Sequence, residues 1–424
     1  MIVVIAIILR TWLIEGCLIP MRVAGASMAN SYLGPHFRMR CADCEFIYPV
    51  DAGRGPPAGA VSCPNCHHVC EVVTGLNPRP GDRLLVDRLV LDVRQPRRWE
   101  PVVFRCPSAP STFCIKRIVG LPGEMVTIEG GDAFINGRVA KKSLDEFRQI
   151  ALSVCESRFH PDGTGTGVVA WAASGQDDRV TKMETGFCID DAKRFDEPAW
   201  VCYRGDVTAH NRSEDSAFHM FDGYGYNQGL SRLLNKVHDK LLIATVRANG
   251  SGMIGLTARY YGENFLINFY PAKGTGTLFR QGRSVTEFQT ERHLLSGYAT
   301  LYFAVVDGQI LFAIDEENCL VFDIPQWKGE RRRPAVVVRK LGPDAGVAIG
   351  ASQLDVEIVD LKLLRDVFYT QIAADSATVL PRKLGRDEYF VLGDNSPVSR
   401  DSRHGDLQIL NAKYLLGKPF ATRR

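Results

Sequence analysis

Two sets of residues in this chain have the types and spacing to do chemistry. The first is a serine among small neighbours together with a lysine on an apolar stretch. Ser27 sits in VAGASMANSYLG, directly after an apolar run, and Lys116 sits in FCIKRIVGLPGE between Phe113, Ile115, Ile118 and Val119. Amide hydrolysis needs a nucleophile, a base and an oxyanion stabiliser. No Gly-x-Ser-x-Gly elbow occurs and the nine histidines show no Ser-His-Asp setting, but a lysine can take the base role if it is held neutral. A lysine with a pKa of about 10.4 is neutral in roughly one molecule in 2,500 at pH 7, a gap of about 4.6 kcal/mol. Burial against apolar surface closes that gap by disfavouring the ammonium. A base lysine therefore belongs on an apolar strand, which is where Lys116 lies. Strand alternation puts Lys116 and Arg117 on opposite faces. Taken singly, a loop serine and an edge-strand lysine are the plainer readings of both positions.

The second set is Cys41-x-x-Cys44 followed, after an eighteen-residue spacer, by Cys63-x-x-Cys66. This spacing suits a zinc ribbon, in which two turns each give two thiolates to one tetrahedral metal. Two disulfides or free thiols are the alternatives, and His67, His68 and Cys70 are near enough for a ligand swap. The other eight of the twelve cysteines are scattered and read as small buried apolar residues.

The elements that must position these residues are mainly β. From about Val72 to Lys141 short apolar strands alternate with Gly and Pro turns, including GDRLLVDRLVLD, EPVVFRCP and an Asn-Gly hairpin signal in INGR. Residues 142 to about 235 are mixed, and the glycines of DGTGTG lack the strand-then-helix setting of a phosphate loop. Strand signals return densely from about 236 to 365, among them AVVVRKLG and a hairpin at Asp307-Gly308 in VVDGQILFAID. They predict a two-sheet sandwich, and the stretch resembles concanavalin-like (laminin-G-type) lectin domains in strand pattern only. The N-terminal MIVVIAIIL, broken by Arg10 and followed by TWLIEGCLIP with Glu15, lacks the basic n-region of a cleaved leader. It is shorter than the roughly 20 apolar residues needed to cross a bilayer. Residues 1–20 are read as a membrane anchor whose first turns a start placed too far downstream would have removed, with a buried core helix as the bland alternative. A net charge of +3 spread along the chain, with Arg331-Arg332-Arg333 read as solvated surface, offers no nucleic-acid site. The sequons at Asn211 and Asn249 matter only in a glycosylating host.

Four separated stretches, VAGASM, GDRLLVDRL, KRIVGLPGE…INGR and GDNSPVSRDSR, together resemble the boxes of type I signal peptidases, membrane-anchored Ser-Lys proteases. The resemblance covers about 110 to 130 residues, in 10–34, 80–141 and about 386–420. It implies Ser27 as nucleophile, followed by Met28, and Lys116 as general base with Arg117 beside it. It further implies Asp82 as the acidic residue of the second box and Gly393-Asp394-Asn395 as the start of the last. By the same resemblance Ser399 would be the hydroxyl that orients the lysine, and Asp401 with Arg403 a supporting ion pair. The chain departs from the pattern at Gly25, where some members place an oxyanion-hole serine, so backbone N–H groups including that of Ser27 must stabilise the oxyanion alone. It departs again at Ser396, in place of the usual arginine, and at Asn30-Ser31-Tyr32, in place of proline-threonine-leucine.

The expected architecture is a signal-peptidase-type β catalytic domain with a short N-terminal membrane helix, a zinc-ribbon-like insert and an inserted β-sandwich. Residues 21–40, 72–141 and 376–424 form the catalytic domain, 41–71 the cysteine module, and 142–375 an insertion with its sandwich at about 236–365. The resemblance implies a signal peptidase I that needs no catalytic cofactor, and the cysteine spacing, which lies outside the resemblance, implies a structural zinc. It would act on signal peptides of exported preproteins, in contact with membrane lipid, at the bacterial inner membrane with the catalytic domain on its outer side. The sandwich is expected to meet a glycan or protein partner. Two other readings stand beside this one. The first is a non-catalytic membrane-associated binding protein that uses the sandwich. The second is a self-cleaving repressor-type Ser-Lys protease, although neither its helix-turn-helix nor its polar N-terminus is found.

Overall fold

A computed structural model describes residues 1, 4–5, 17–53, 59–71, 75, 77–161, 167–175, 177–191, 197–205, 219–291, 297–325, 343, 345–370, 381–404 and 409–421. The described chain is mainly β, with two short helices, Leu89–Val93 and Leu144–Ile150. Seven strands form the sheet that carries Lys116. In spatial order they are Leu18–Arg22, Arg83–Asp87, Leu415–Ala421, Pro101–Cys106, Ala109–Gly120, Glu388–Leu392 and Leu410–Asn411. The N-terminal and C-terminal boxes thus join one sheet with the middle of the chain, which is how residues far apart in sequence reach one site. Beside it lies a four-stranded sheet of Met125–Glu129, Asp132–Ile135, Arg138–Val139 and Arg382–Lys383. Its Asn136-Gly137 turn has both residues at positive φ, +51° and +78°, as an Asn-Gly hairpin requires.

The largest sheet has thirteen strands and is continuous, where two separate sheets are predicted. Two long strands, Lys240–Tyr260 and Val347–Arg365, pair along nearly their whole length and carry bulges near Val246 and between Gly250 and Met253. Bulges bend and twist a strand, so each long strand serves both arms of the folded sheet. Phe288 of one arm meets Phe312 of the other at 5.3 Å between ring centroids, inside the largest apolar cluster. The hairpin at Asp307-Gly308 forms where VVDGQILFAID places it, with φ of +50° and +71°.

Three sequence boundaries shift. Strands Leu152–Glu156, Trp171–Ala173, Phe187–Ile189 and Ala199–Tyr203 belong to the large sheet, so it begins well before residue 236. All are five residues or fewer, too short to show a period against polar surroundings. Leu18–Arg22 pairs with Arg83–Asp87, so the last residues assigned to the anchor lie in the first sheet. Residues 2–3 and 6–16 of that segment lie outside the described residues, as do Arg331–Arg333, Asn211 and the AVVVRKLG strand. Among the described residues no helix is long and apolar enough to cross a membrane. The cysteine module starts before residue 41, because His36–Arg40 pairs with Ile47–Asp51.

Candidate functional site

Ser27 lies in a tight turn just past the Leu18–Arg22 strand. Val23 N–H donates to the Asp82 carbonyl at 2.9 Å, Asp82 N–H to the Leu33 carbonyl at 2.8 Å, and Leu33 N–H to Asp82 Oδ2 at 2.8 Å. Asp82 therefore closes both ends of the serine loop. Gly81 before it allows the approach, since a Cβ there would lie 1.9 Å from the Val23 carbonyl oxygen. Met28 and Ala29 are fully buried and anchor the loop, whereas Ser27 is half-buried and Gly25 exposed.

Lys116 comes from the Ala109–Gly120 strand, opposite Val102 of the neighbouring strand. Its Nζ lies 2.6 Å from Ser27 Oγ and 3.2 Å from the Ile115 carbonyl oxygen. Only 4% of the residue is exposed. Burial holds its pKa below the ordinary lysine range, and the buried Asp401 charge opposes that shift without reversing it. Arg117, the next residue, turns to the other face as alternation requires. It donates twice to Asp394, Nε to Oδ1 at 2.8 Å and Nη2 to Oδ2 at 2.5 Å, with Nη1 on the Trp99 carbonyl. Ser31 Oγ donates to Asp394 Oδ2 at 2.6 Å, so the Asn30-Ser31-Tyr32 departure brings its own anchor.

The last box closes over these residues. Asn395 N–H donates to the Ser27 carbonyl at 3.1 Å and Asn395 Nδ2 to the Ala26 carbonyl at 3.0 Å. Gly393 is packed so closely that a Cβ would lie 2.1 Å from Ser399 Oγ and 2.5 Å from the Ser27 carbonyl oxygen. Asp401 is fully buried. Burial alone would raise its carboxyl, but the Arg403 charge beside it holds it below the usual range. Arg403 reaches it through Nε and Nη2 at 2.9 and 2.8 Å. Ser396, in place of arginine, accepts from Arg403 Nη1 at 2.7 Å and from Thr370 N–H at 2.9 Å. Ser399 Oγ is buried and near enough to Asp401 to favour its ionised form, but among the described residues it makes no hydrogen bond of normal geometry, to Lys116 or any other group. The expected Ser399-to-lysine bond is thus absent from this geometry.

Gly25 faces open space: a Cβ there would meet no atom within 4 Å. Neither packing nor a positive φ demands glycine at that position. Several residues that touch the site carry no motif in the sequence. Tyr224 Oη donates to the Asp394 carbonyl at 2.8 Å, and Asn227 exchanges amide hydrogen bonds with Asn395 at 2.6 and 2.8 Å.

The four paired cysteines come together on two matching knuckles. Glu45 and His67, each just after the second cysteine of its pair, take φ of +61° and +62°. Glu45 N–H donates to the Cys41 carbonyl and His67 N–H to the Cys63 carbonyl. The Cys41–Cys66 and Cys44–Cys63 sulfurs are 3.6 and 3.7 Å apart, and all four lie within 4.8 Å of one another. A tetrahedral ion with Zn–S bonds of about 2.3 Å sets its sulfurs roughly 3.8 Å apart, whereas a disulfide needs about 2.05 Å. The donor set and spacing fit one metal ion, and none of the twelve cysteines is in a disulfide. His67, His68 and Cys70 are not part of the group; Cys70 Sγ turns to the His68 carbonyl.

Residues 76–169 match the family described as signal peptidase, peptidase S26. That stretch holds Asp82, Lys116 and Arg117 but not Ser27 or the last box. Among curated proteins, the chain is 46% identical over 67 residues to "Signal peptidase I" of Pseudomonas fluorescens, covering 15% of this chain and 24% of that protein. It is 40% identical over 66 residues to "Signal peptidase I" of Leptolyngbya laminosa, 14% of this chain and 32% of that one. The chain thus spans about a quarter to a third of the length of these relatives. Among solved structures, it aligns with the exoplasmic/lumenal domain of VIP36 at a TM-score of 0.29 and 10% identity, covering 51% of this chain and 91% of that one. It aligns with the carbohydrate binding module CBM66 from Bacillus subtilis at a TM-score of 0.25 and 9% identity, covering 47% and 93%.

Proposed function

We propose that this chain is a serine endopeptidase of the signal peptidase I type, which cuts signal peptides from exported preproteins with a Ser27–Lys116 dyad. The observation that carries this reading is the 2.6 Å approach of a buried, pKa-lowered Lys116 Nζ to Ser27 Oγ. Similarity over 76–169 to signal peptidases supports the same class. Neutral Lys116 takes the Ser27 hydroxyl proton as Oγ attacks the scissile carbonyl carbon. Backbone N–H groups, that of Ser27 included, hold the tetrahedral oxyanion. The intermediate collapses, the C–N bond breaks, and the Lys116 ammonium returns its proton to the leaving amine. Neutral Lys116 then takes a proton from water as the water oxygen attacks the ester carbon, the C–Oγ bond breaks, and the ammonium returns the proton to Ser27 Oγ. Arg117–Asp394 and Asp401–Arg403 hold the strand and last box that frame the dyad, and Asn395 holds the serine loop.

Residues 18–35, 72–141 and 376–424 would form the catalytic unit, extended by the anchor to a bacterial inner membrane, with the catalytic part on its outer side. Cys41, Cys44, Cys63 and Cys66 would hold a structural zinc, and the thirteen-stranded sheet would present a surface to a glycan or protein partner. In the test, purified protein is incubated with a preprotein carrying small residues at the first and third positions before the cut. Cleavage there, abolished by Ser27→Ala and by Lys116→Ala, supports the proposal; wild-type cleavage by Lys116→Ala overturns the mechanism.

A further inference from the structure

Between the Ala199–Tyr203 and Lys240–Tyr260 strands the chain leaves the large sheet and crosses to the serine loop. The crossing segment, Tyr224 to Gln228, contains the short 3-10 turn Gly225–Asn227. It touches both sides of the dyad. Tyr226 packs with Ala29, Leu33 and Ala26 on the serine loop, and its hydroxyl donates to the Pro35 carbonyl at 3.2 Å. Tyr224 donates to the Asp394 carbonyl in the last box. On its far side the segment is fastened to the cysteine module. Gln228 Nε2 donates to the Ser62 carbonyl at 2.9 Å while Ser62 N–H donates to Gln228 Oε1 at 3.2 Å, and Gly225 lies against Pro64.

Asn227 has the most consequential contact. Asn395 is fully buried, and its side-chain nitrogen gives one hydrogen to the Ala26 carbonyl and the other to Asn227 Oδ1. Its Oδ1 accepts from Asn227 Nδ2 at 2.6 Å. An asparagine amide is nearly the same shape either way round, so only its partners decide which end is the donor. Were the Asn395 amide reversed, its oxygen would face the Ala26 carbonyl oxygen and release the residue that precedes the nucleophile. The Ala26 carbonyl, which can only accept, sets that orientation, and Asn227, paired with the amide through both its donor and its acceptor, holds the side chain in place against it.

We propose that Asn227 is a positioning residue of the peptidase: it fixes the Asn395 amide, through which the Ala26–Ser27 backbone is held against Lys116. This rests on the function proposed above. The segment, which lies in the stretch read from sequence as an insertion, thereby completes the catalytic unit. Asn227→Asp keeps the shape and an acceptor but loses the donor to Asn395 Oδ1, and Asn227→Ala loses both.

The test measures kcat and KM for peptide cleavage, thermal unfolding, and the rate at which iodoacetamide alkylates a Ser27→Cys variant with and without Asn227→Ala. Both Asn227 substitutions are expected to lower kcat at least about tenfold with KM unchanged within about twofold, since small misplacements of reacting groups cost up to ~10²-fold. Alkylation of the Ser27→Cys variant is expected to slow severalfold when Asn227→Ala is added, because thiol reactivity depends on deprotonation by the Lys116 amine beside it. A kcat within about twofold of wild type, or lost activity with unchanged alkylation and a lowered unfolding temperature, overturns the proposal. If the native chain cleaves no preprotein, the peptidase reading fails. Slowed alkylation then still upholds the positioning of Ser27 by Asn227, and unchanged alkylation overturns it.

Discussion

At the scale of single residues, the chemistry rests on how Lys116 stays neutral. Ile115, Ile118 and Val119 of its strand are apolar, its side chain is buried, and its closest polar contacts are Ser27 Oγ and one carbonyl. A lysine lowered in this way gains activity with rising pH, because the neutral amine is the working form. The same shift makes the folded state bind its proton less tightly than the unfolded state does. This group therefore adds stability as pH rises from its folded pKa toward the ordinary lysine range, and takes it away below. A second residue-scale prediction concerns Gly25, which faces open space. Gly25→Ser is expected to fold normally and to raise kcat, up to about the 10²-fold that one oxyanion donor contributes elsewhere. Steady-state kinetics at fixed pH checks this; an unchanged or lower kcat would show that the position does not face the oxyanion.

At the scale of elements, the site depends on close backbone packing. Gly393→Ala would drive a methyl group into Ser399 Oγ and the Ser27 carbonyl. We expect it to lower stability by about 1–3 kcal/mol, as overpacking does, and to depress kcat further by displacing the serine loop. Denaturant titration together with kinetics separates the two effects. The knuckles make a parallel prediction: the protein binds about one zinc per chain. Cys44→Ser or a strong chelator would lower both the metal content and the unfolding temperature. Because Ser62 and Pro64 brace the Tyr224–Gln228 segment, metal removal should also lower kcat. Elemental analysis with unfolding curves checks this, and an unchanged unfolding temperature after metal removal would contradict it.

Legibility in the sequence followed this scale. Ser27, Lys116, Arg117, Asp82, Asp394 and Asn395 stand in contiguous boxes, and the structure brings them together across 89 positions between Ser27 and Lys116. The cysteine knuckles were legible from spacing, and the Asn136-Gly137 and Asp307-Gly308 turns from their residue types. Tyr224 and Asn227 were not. Each acts as one side chain on a partner about 170 positions away, 170 for Tyr224 and 168 for Asn227, and no local period announces such a contact. The Ser399 role drawn from the resemblance is the point at which the geometry departs from expectation.

At the scale of the whole molecule, the large sheet is locked to the rest of the protein through a buried charge cluster. Lys142 lies in the segment just before the helix Leu144–Ile150, which Ser143 and Glu146 cap. Its Nζ reaches Asp307 at 2.9 Å and Asp366 at 2.7 Å, and it sits 4.4 Å from the centre of the Trp99 ring. The Trp99 carbonyl in turn accepts from Arg117. Asp132 and Asp239 lie beside Asp307, so four carboxylates share one buried lysine. Burial, then the neighbouring carboxylates, push Asp239 up to about 7; burial also outweighs Lys142 at Asp307, which rises to about 6. Carboxyls raised in the folded state bind protons there that the unfolded chain has already released. Their stability is present at pH below about 4 and is lost as pH rises toward about 7. Lys142→Met should therefore destabilise by about 3–5 kcal/mol near neutral pH, since one partner of a buried pair is removed. The loss should be smaller near pH 5, where more of the cluster is protonated. Denaturant titrations at the two pH values check it; an equal loss at both would contradict protonation of the raised carboxyls over that range.

The most direct test of the account is the pH dependence of kcat/KM for preprotein cleavage, measured for the wild type and for Lys116→Ala. The account predicts a wild-type rate that rises through one ionisation well below the ordinary lysine value of about 10.4. It also predicts a Lys116→Ala rate lower by at least about 10³-fold with that ionisation gone. A wild-type profile set by an ordinary lysine, or a Lys116→Ala variant that keeps both rate and ionisation, would contradict it.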